Sequence, residues 1–254
     1  MEEQTVVLIV GAGPAGLATA ACLTKLSIPY VIVEREDCSA SLWRNRAYDR
    51  LKLHLGKEFC ELPHMSYPAD APTYIPKDQF INLARNVATT SVARYTSRFL
   101  VVASGENSAA NIPMIPGLHD FAGEVVHSSR HGIVTPKAGP LLLKAKTGRS
   151  AVIDVGTVLG NITKLNGNIV EFEGGKKRPF DAIVFATGYK STANTWLKNG
   201  ESMLSNDGLP KKGFPDHWKG ANGLYCAGLA RRGLAGIAFD AKNIANDILS
   251  SYRA

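Results

Sequence analysis

Gly11-Ala12-Gly13-Pro14-Ala15-Gly16 stands between an apolar run, Thr5-Val6-Val7-Leu8-Ile9-Val10, and a segment with Leu17, Ala18, Ala21 and Leu23 in a helical pattern. Glycines at i, i+2 and i+5 between a strand and a helix do one piece of chemistry well: they hold a diphosphate. Gly11 permits the tight turn, Gly13 lets the backbone approach the anion, Gly16 lets helix and strand pack closely, and the helix N-terminus draws negative charge. A second strand, Tyr30-Val31-Ile32-Val33, follows, and Glu34 ends it 23 residues after Gly11. A carboxylate at that point accepts a ribose 2′-hydroxyl and repels a 2′-phosphate. The unit therefore suits FAD or NAD, not NADP. The bland alternative, a glycine turn without a ligand, is disfavoured by the complete strand-turn-helix-strand-acid order.

Two later segments share a form: Phe99-Leu100-Val101-Val102-Ala103-Ser104-Gly105 and Ala182-Ile183-Val184-Phe185-Ala186-Thr187-Gly188. Each reads as a buried strand ending in Ala-Ser/Thr-Gly. In doubly wound sheets such ends lie beside the ligand crevice, and the glycine allows close backbone approach. Either one alone is as well explained by a core strand and an ordinary turn; together they are expected at the ligand edge. Near the C-terminus, Leu224-Tyr225-Cys226-Ala227-Gly228 reads as another strand, and Arg231-Arg232-Gly233-Leu234-Ala235-Gly236 opens a final helix. Its stripe, Leu234, Ile237, Ala241, Ile244, Ala245 and Ile248, faces the core. The Gly228 loop and this helix start could set main-chain N–H groups against an electron-rich ring edge, or serve packing alone.

The elements that must position these residues form an α/β, doubly wound, Rossmann-like sheet with a β-hairpin or meander. Ser41–Arg46 through Leu51–Leu55 reads as loop and short strand, and the proline-rich stretch from Leu62-Pro63 to Ile75-Pro76 as extended or turn. Ala151–Val155 reads as a strand, and a hairpin is expected over Ile162–Phe172, turned at Asn166-Gly167. A chain of 254 residues, 45% hydrophobic and 20% charged, is an ordinary globular composition. No apolar run is long enough to span a bilayer, and two glutamates open the chain where a secretory signal would be basic, so a cytoplasmic location is expected. Cys22, Cys38, Cys60 and Cys226 are scattered without a CxxC pair, which argues against a metal site or a disulfide framework. The net charge of +7 is carried in short clusters such as Lys176-Lys177-Arg178 and Arg231-Arg232, which read as solvated turns; no nucleic-acid partner is expected.

Together these pieces resemble the flavin-containing monooxygenases, specifically the plant YUCCA group of indole-3-pyruvate monooxygenases. The resemblance is carried by Gly11–Leu17, Ser41-Leu42-Trp43-Arg44, Tyr48–Leu55, Phe59-Cys60-Glu61-Leu62-Pro63, Val102–Asn107, Phe121–Ser129, Phe185–Tyr189 and Gly228–Leu234. It implies that Gly11, Ala12, Gly13, Pro14, Ala15 and Gly16 hold the FAD diphosphate, Glu34 the adenosine ribose, and Trp43 and Arg44 the approach to the flavin, with Gly105 and Gly228 close to the cofactor. Phe121 and His127 match the FxGxxxH segment of the family, although as residues alone they read as core and strand end. His54, Leu53 and Leu55 are placed on the substrate side. The implied reaction is NADPH- and O2-dependent oxidative decarboxylation of indole-3-pyruvate to indole-3-acetate, in auxin biosynthesis. The cofactor carries such chemistry, so no nucleophile or acid–base triad is required and no catalytic residue is assigned.

The sequence also departs from the family. Relatives open an NADPH-binding domain with a second GxGxxG soon after the equivalent of His127-Ser128-Ser129; here Arg130–Lys137 follows, and no second GxGxxG occurs anywhere in the chain. The segment around Asn82–Val87 is shortened as well. Three regions result: 1–129, the first part of the FAD-binding region; 130–180, a remnant of the NADP domain with the hairpin; and 181–254, the return to the FAD-binding domain. The second Rossmann domain is read as largely missing, through splicing, gene-model error or degeneration. Two other functions stay open: an FAD-binding remnant or regulatory flavoprotein that does not use NADPH, and a flavin reductase or oxidase with another donor.

Overall fold

The computed structural model describes residues 2–83, 94–129, 141–145, 150–152 and 158–253. In chain order the elements are β1 (Glu2–Val10), α1 (Pro14–Lys25), β2 (Tyr30–Val33), α2 (Ser41–Arg46), α3 (Lys77–Leu83), β3 (Arg94–Val102), β4 (Ala109–Ala110), β5 (Glu124–His127) and β6 (Leu141–Ala145). There follow β7 (Ser150–Val152), β8 (Val158–Leu159), β9 (Ile162–Asn166), β10 (Ile169–Phe172), β11 (Lys177–Pro179), β12 (Ala182–Ala186), β13 (Tyr189–Lys190), β14 (Leu224–Cys226) and α4 (Gly233–Tyr252). The chain divides into two compact units, residues 1–108 with 191–254 and residues 109–190. These boundaries differ from those expected at 129/130 and 180/181. The segments before His127 and after Asp181 supply β5 and β12 to one sheet of the second unit, so they cannot be parted from it.

In the first unit four parallel strands lie in the order β14-β3-β1-β2. Val10 pairs with Val33 and with Val102, and Val102 with Cys226, so all four strands end in one row. The loops that leave them, at Gly11, Glu34, Ala103 and Ala227, therefore emerge along a single edge. Helix α1 is small-residue rich and buries Ala15, Gly16, Leu17, Ala18, Ala20, Cys22 and Leu23, because the sheet and α4 both pack on it. Val7, Ile9 and Val101 from the sheet, Leu23 from α1, and Ala241, Ile244 and Ile248 from α4 share one core. The expected C-terminal stripe thus faces inward, except that Leu234 and Ile237 are only partly buried. Val102, Cys226, Leu229, Met203 and Leu204 form a second core, and Leu53, Cys60, Tyr67, Ile75 and Phe80 a third beneath the proline-rich stretch.

In the second unit β5, β12 and β6 are parallel, β7 and β8 continue that sheet antiparallel, and β9, β10 and β11 form a separate antiparallel meander. Its core is Phe121, Leu142, Leu165, Val170, Phe172, Phe180, Ile183 and Phe185. The expected hairpin is present one residue later than read: Asn166 pairs with Ile169, leaving Gly167 and Asn168 in the turn, with Gly167 at φ +58. A glycine first in a two-residue loop supplies the positive φ such a turn needs. Among the described residues this unit contains no α-helix, so no strand-clamp-helix unit is seen in it. Of the segments read from sequence, Ala84–Val87, Arg130–Lys137 and Ile153–Val155 lie outside the described residues. No described helix is long and apolar enough to cross a membrane.

Candidate functional site

The row of strand ends in the first unit opens on a cavity of about 1020 Å³, and every described residue on its wall belongs to that unit. Small-molecule sites span about 300–1,000 Å³, so this one has room for a ligand of dinucleotide size. Gly11 turns the chain out of β1 at φ +113, a conformation that side chains rarely adopt. A Cβ on Gly11 would stand 2.4 Å from the Ala103 carbonyl oxygen, and one on Gly16 would stand 1.9 Å from that of Gly11. Both glycines are thus required by backbone packing. Gly13 differs: a Cβ there would meet nothing within 4 Å, and the residue lines the cavity. The room beside Gly13 is room for a ligand.

Two helices begin at this wall. Gly13 caps α1 without a side-chain hydrogen bond, and Arg232 does the same for α4; neither first turn contains an acidic residue. Pro14 lacks an N–H, the first-turn amides of Ala15 and Gly16 have no intrahelical acceptor, and Ala15 lines the same cavity as Arg232, Gly233 and Leu234 at the start of α4. Two positive helix ends converge on one cavity, as an anionic ligand requires.

Three carboxylates brace the loops around it. Glu34 accepts N–H groups from Ala12 at 2.7 Å, Arg35 at 3.0 Å and Glu36 at 3.1 Å, which ties the end of β2 to the glycine turn. Glu106, after β3, accepts the Arg231 N–H at 2.7 Å and joins that loop to the start of α4. Burial pushes its carboxyl above the usual range, partly countered by Arg231. Asp240, fully buried on α4, accepts the Gly228 N–H at 2.9 Å and meets His217 Nε2 at 2.7 Å. Burial raises its carboxyl too, against the Gly228 and His217 bonds. Ser104 Oγ, also on the wall, is buried without a hydrogen-bond partner among the described residues.

Of the residues read from sequence, Gly11, Gly13, Pro14, Ala15, Glu34, Trp43, Gly105 and Gly228 lie on the cavity wall, as do Leu53, His54 and Leu55. Ala12 and Gly16 sit behind it, in the turn. Arg44 is not on the wall: Ser41–Arg46 is a helix and not the expected loop, and the Arg44 Nε donates to the Ser39 carbonyl at 2.8 Å. On a helix the neighbours of Leu42 and Trp43 are three residues on, so Asn45 and Arg46 face the cavity in its place. Gly188 belongs to the second unit. Its carbonyl, after β12, accepts the Asn111 N–H and bonds His127 Nε2 at 3.0 Å. Phe121 and His127 are buried there as core and strand-end residues. Sequence reasoning missed Glu106, Asp240, His217 and the wall residues Thr192, Thr195 and Trp196. Asp240 lies at an inward position one residue before Ala241, and a carboxylate inside an apolar stripe was the signal available.

A family model described as an FAD binding domain matches residues 4–49, the glycine turn and Glu34 included. The probable indole-3-pyruvate monooxygenase YUCCA10 of Arabidopsis thaliana is 37% identical over 374 aligned positions, covering 97% of the chain and 98% of the relative. The indole-3-pyruvate monooxygenase YUCCA1 of Oryza sativa subsp. japonica is 32% identical, covering 97% and 92%. The chain belongs to the flavin monooxygenase family. It is a flavin-dependent monooxygenase of the YUCCA type, with an FAD-binding domain. A flavin-containing monooxygenase from Stenotrophomonas maltophilia has the same fold, with a TM-score of 0.75 at 17% identity over 99% of this chain and 100% of the other. The 374 positions aligned to the first relative exceed the 254 residues of the chain, so at least 120 of them are filled in the relative alone. The fold is retained while internal sequence is absent.

Proposed function

We propose that the cavity holds FAD and that the chain serves an O2-dependent monooxygenation of a 2-keto acid of the indole-3-pyruvate type. One observation carries this: four strands ending in a row beneath two uncapped helix starts, with open space at Gly13. The turn from Gly11 to Gly16 holds the diphosphate on the Ala15 and Gly16 amides. Glu34 Oε1 already accepts two N–H groups and Oε2 one, so Oε2 keeps a lone pair for a ribose hydroxyl. Trp43, Gly105 and Gly228 border the remainder, and the Ser104 hydroxyl gains its missing partner from the ligand. FAD supplies the electron transfer and oxygen activation; the protein orients it and excludes water. The relatives named for indole-3-pyruvate support the substrate class.

The source of electrons favours a second reading beside the first. NADPH is the family's donor, yet the chain has one GxGxxG and lacks at least 120 positions of its relative. On this reading the chain is a flavoprotein that binds FAD without using NADPH.

One experiment separates the two. The purified chain should show a flavin spectrum and a thermal transition that rises with added FAD. Anaerobic NADPH that bleaches the flavin supports the monooxygenase; yellow protein that NADPH leaves unchanged supports the second reading. Protein that stays colourless in excess FAD removes both.

A further inference from the structure

A buried acid–base pair stands at the cavity, and beyond bracing its loops it has no task in the FAD site as described above. Asp240 is fully buried yet borders the cavity, its Oδ1 on His217 Nε2 and its Oδ2 on the Gly228 N–H. His217 is buried as well, and its Nδ1 has no hydrogen-bond partner among the described residues. A carboxylate oxygen only accepts, so the Nε2 proton is donated to Oδ1. Nδ1 faces no acceptor among the described residues, so an N–H there would be buried unpaired. A further proton taken by the pair goes to the Oδ2 lone pair that Gly228 leaves unused.

The pair sits where a diphosphate would raise the stakes. Gly228 packs on the second residue of α1: a Cβ on it would stand 2.8 Å from the Ala15 Cβ. The Asp240 carboxyl, bonded to Gly228, is thus close to the helix end that receives the anion. The groups facing it are His217 ahead of β14, the Cys226 thiol on β14 and Glu106 after β3. Burial raises Cys226 and Glu106, and the Asp240 charge raises both further. The Arg232 guanidinium lies over the Phe214 ring, 4.0 Å from its centroid. Among the described residues His217 is the one basic group within ion-pair distance of Asp240.

We propose that Asp240, oriented by His217, takes up a proton from solvent when FAD enters, so that the diphosphate is bound beside a carboxylic acid instead of a carboxylate. This rests on the FAD site proposed above. No bond of FAD changes; the proton passes from buffer to Oδ2. By linkage, FAD affinity falls as pH rises between the Asp240 pKa of the free chain and the higher one of the complex, by up to about tenfold per pH unit.

The test is calorimetric titration of FAD into the FAD-free chain in phosphate and in Tris, from about pH 6 to pH 8, since buffers of different ionisation enthalpy reveal proton uptake. The wild-type heats should differ between buffers in the sense of uptake, and Asp240→Asn should bind FAD with equal heats and an affinity insensitive to pH. Infrared difference spectra of the wild type, with FAD minus without, should gain a protonated-carboxyl band; this second measurement needs no variant to fold. Equal heats throughout, no such band, or uptake that survives Asp240→Asn but disappears in Glu106→Gln would overturn the proposal. Failure of the wild type to bind FAD would instead sink the FAD site itself, whereas FAD binding without proton uptake sinks the pair's role alone.

Discussion

The chain ends two buried strands with nearly the same tripeptide, Ala103-Ser104-Gly105 and Ala186-Thr187-Gly188, and both glycines adopt positive φ, +84 and +78. At the first, the Ser104 hydroxyl has no partner among the described residues and the turn opens on the cavity. At the second, the short ladder of β13 on β4 covers the turn: Thr187 Oγ donates to the Asn111 carbonyl, and the Gly188 oxygen takes Asn111 N–H and His127. Strand-end chemistry is thus permissive. What packs over the turn decides whether its polar groups answer a ligand or one another.

Substitutions can break this contrast, and the largest effect is expected at Gly16. A Cβ there would stand 1.9 Å from a main-chain oxygen, so Gly16→Ala should lose about 3 kcal/mol or more of stability, with little soluble protein and no flavin absorbance. Gly13→Ala meets open space and should leave the melt of the FAD-free chain within about 1 kcal/mol while weakening FAD binding about tenfold or more, measured by flavin fluorescence titration. Glu34→Ala strands three N–H groups and should cost about 1–3 kcal/mol together with a loss of FAD affinity.

The counterpart in the second unit should behave differently. Gly188→Ala forces a side chain into left-handed backbone and should cost about 1–2 kcal/mol by denaturant titration, with the flavin spectrum and FAD affinity of the wild type. A weakened flavin site in that variant would show that the two turns are not independent.

The smallest effect sharpens the comparison among the three carboxylates. A carboxyl whose folded pKa is raised binds its proton in the native state before the unfolded chain does, so it costs stability above the folded pKa and recovers it as pH falls toward the unfolded value. For Asp240, raised by burial, the stability of the wild type relative to Asp240→Asn should therefore rise on acidification. Thermal melts of both proteins across mildly acid pH check this, and a pH-independent difference would contradict it.

Much of the first unit was legible because its signals are local. Gly11, Gly13, Gly16 and Glu34 have fixed spacing around one βαβ unit, and the stripe of α4 repeats with the period of a helix. Arg44 was misplaced because a loop was expected where α2 forms, and helical phase turned Asn45 and Arg46 toward the cavity. Asp240, Glu106 and His217 escaped notice because their partners, Gly228, Arg231 and Asp240, lie up to 125 residues away in the chain, a separation that no periodicity reveals.

The sequence alone determined that the first 34 residues make a strand, glycine turn, helix and strand with an acidic stop, since these elements follow from near-neighbour sterics and hydrogen bonding. It also determined that the GxGxxG motif occurs once. Only the tertiary structure decided that β14 and β3 finish in the same row as β1 and β2, that buried carboxylates staple their loops, and that Gly105 opens on a cavity while Gly188 is closed over. Those outcomes depend on which distant segments pair, and the register of a parallel sheet is set by the packing of its helices and core, not by the residues of any one strand.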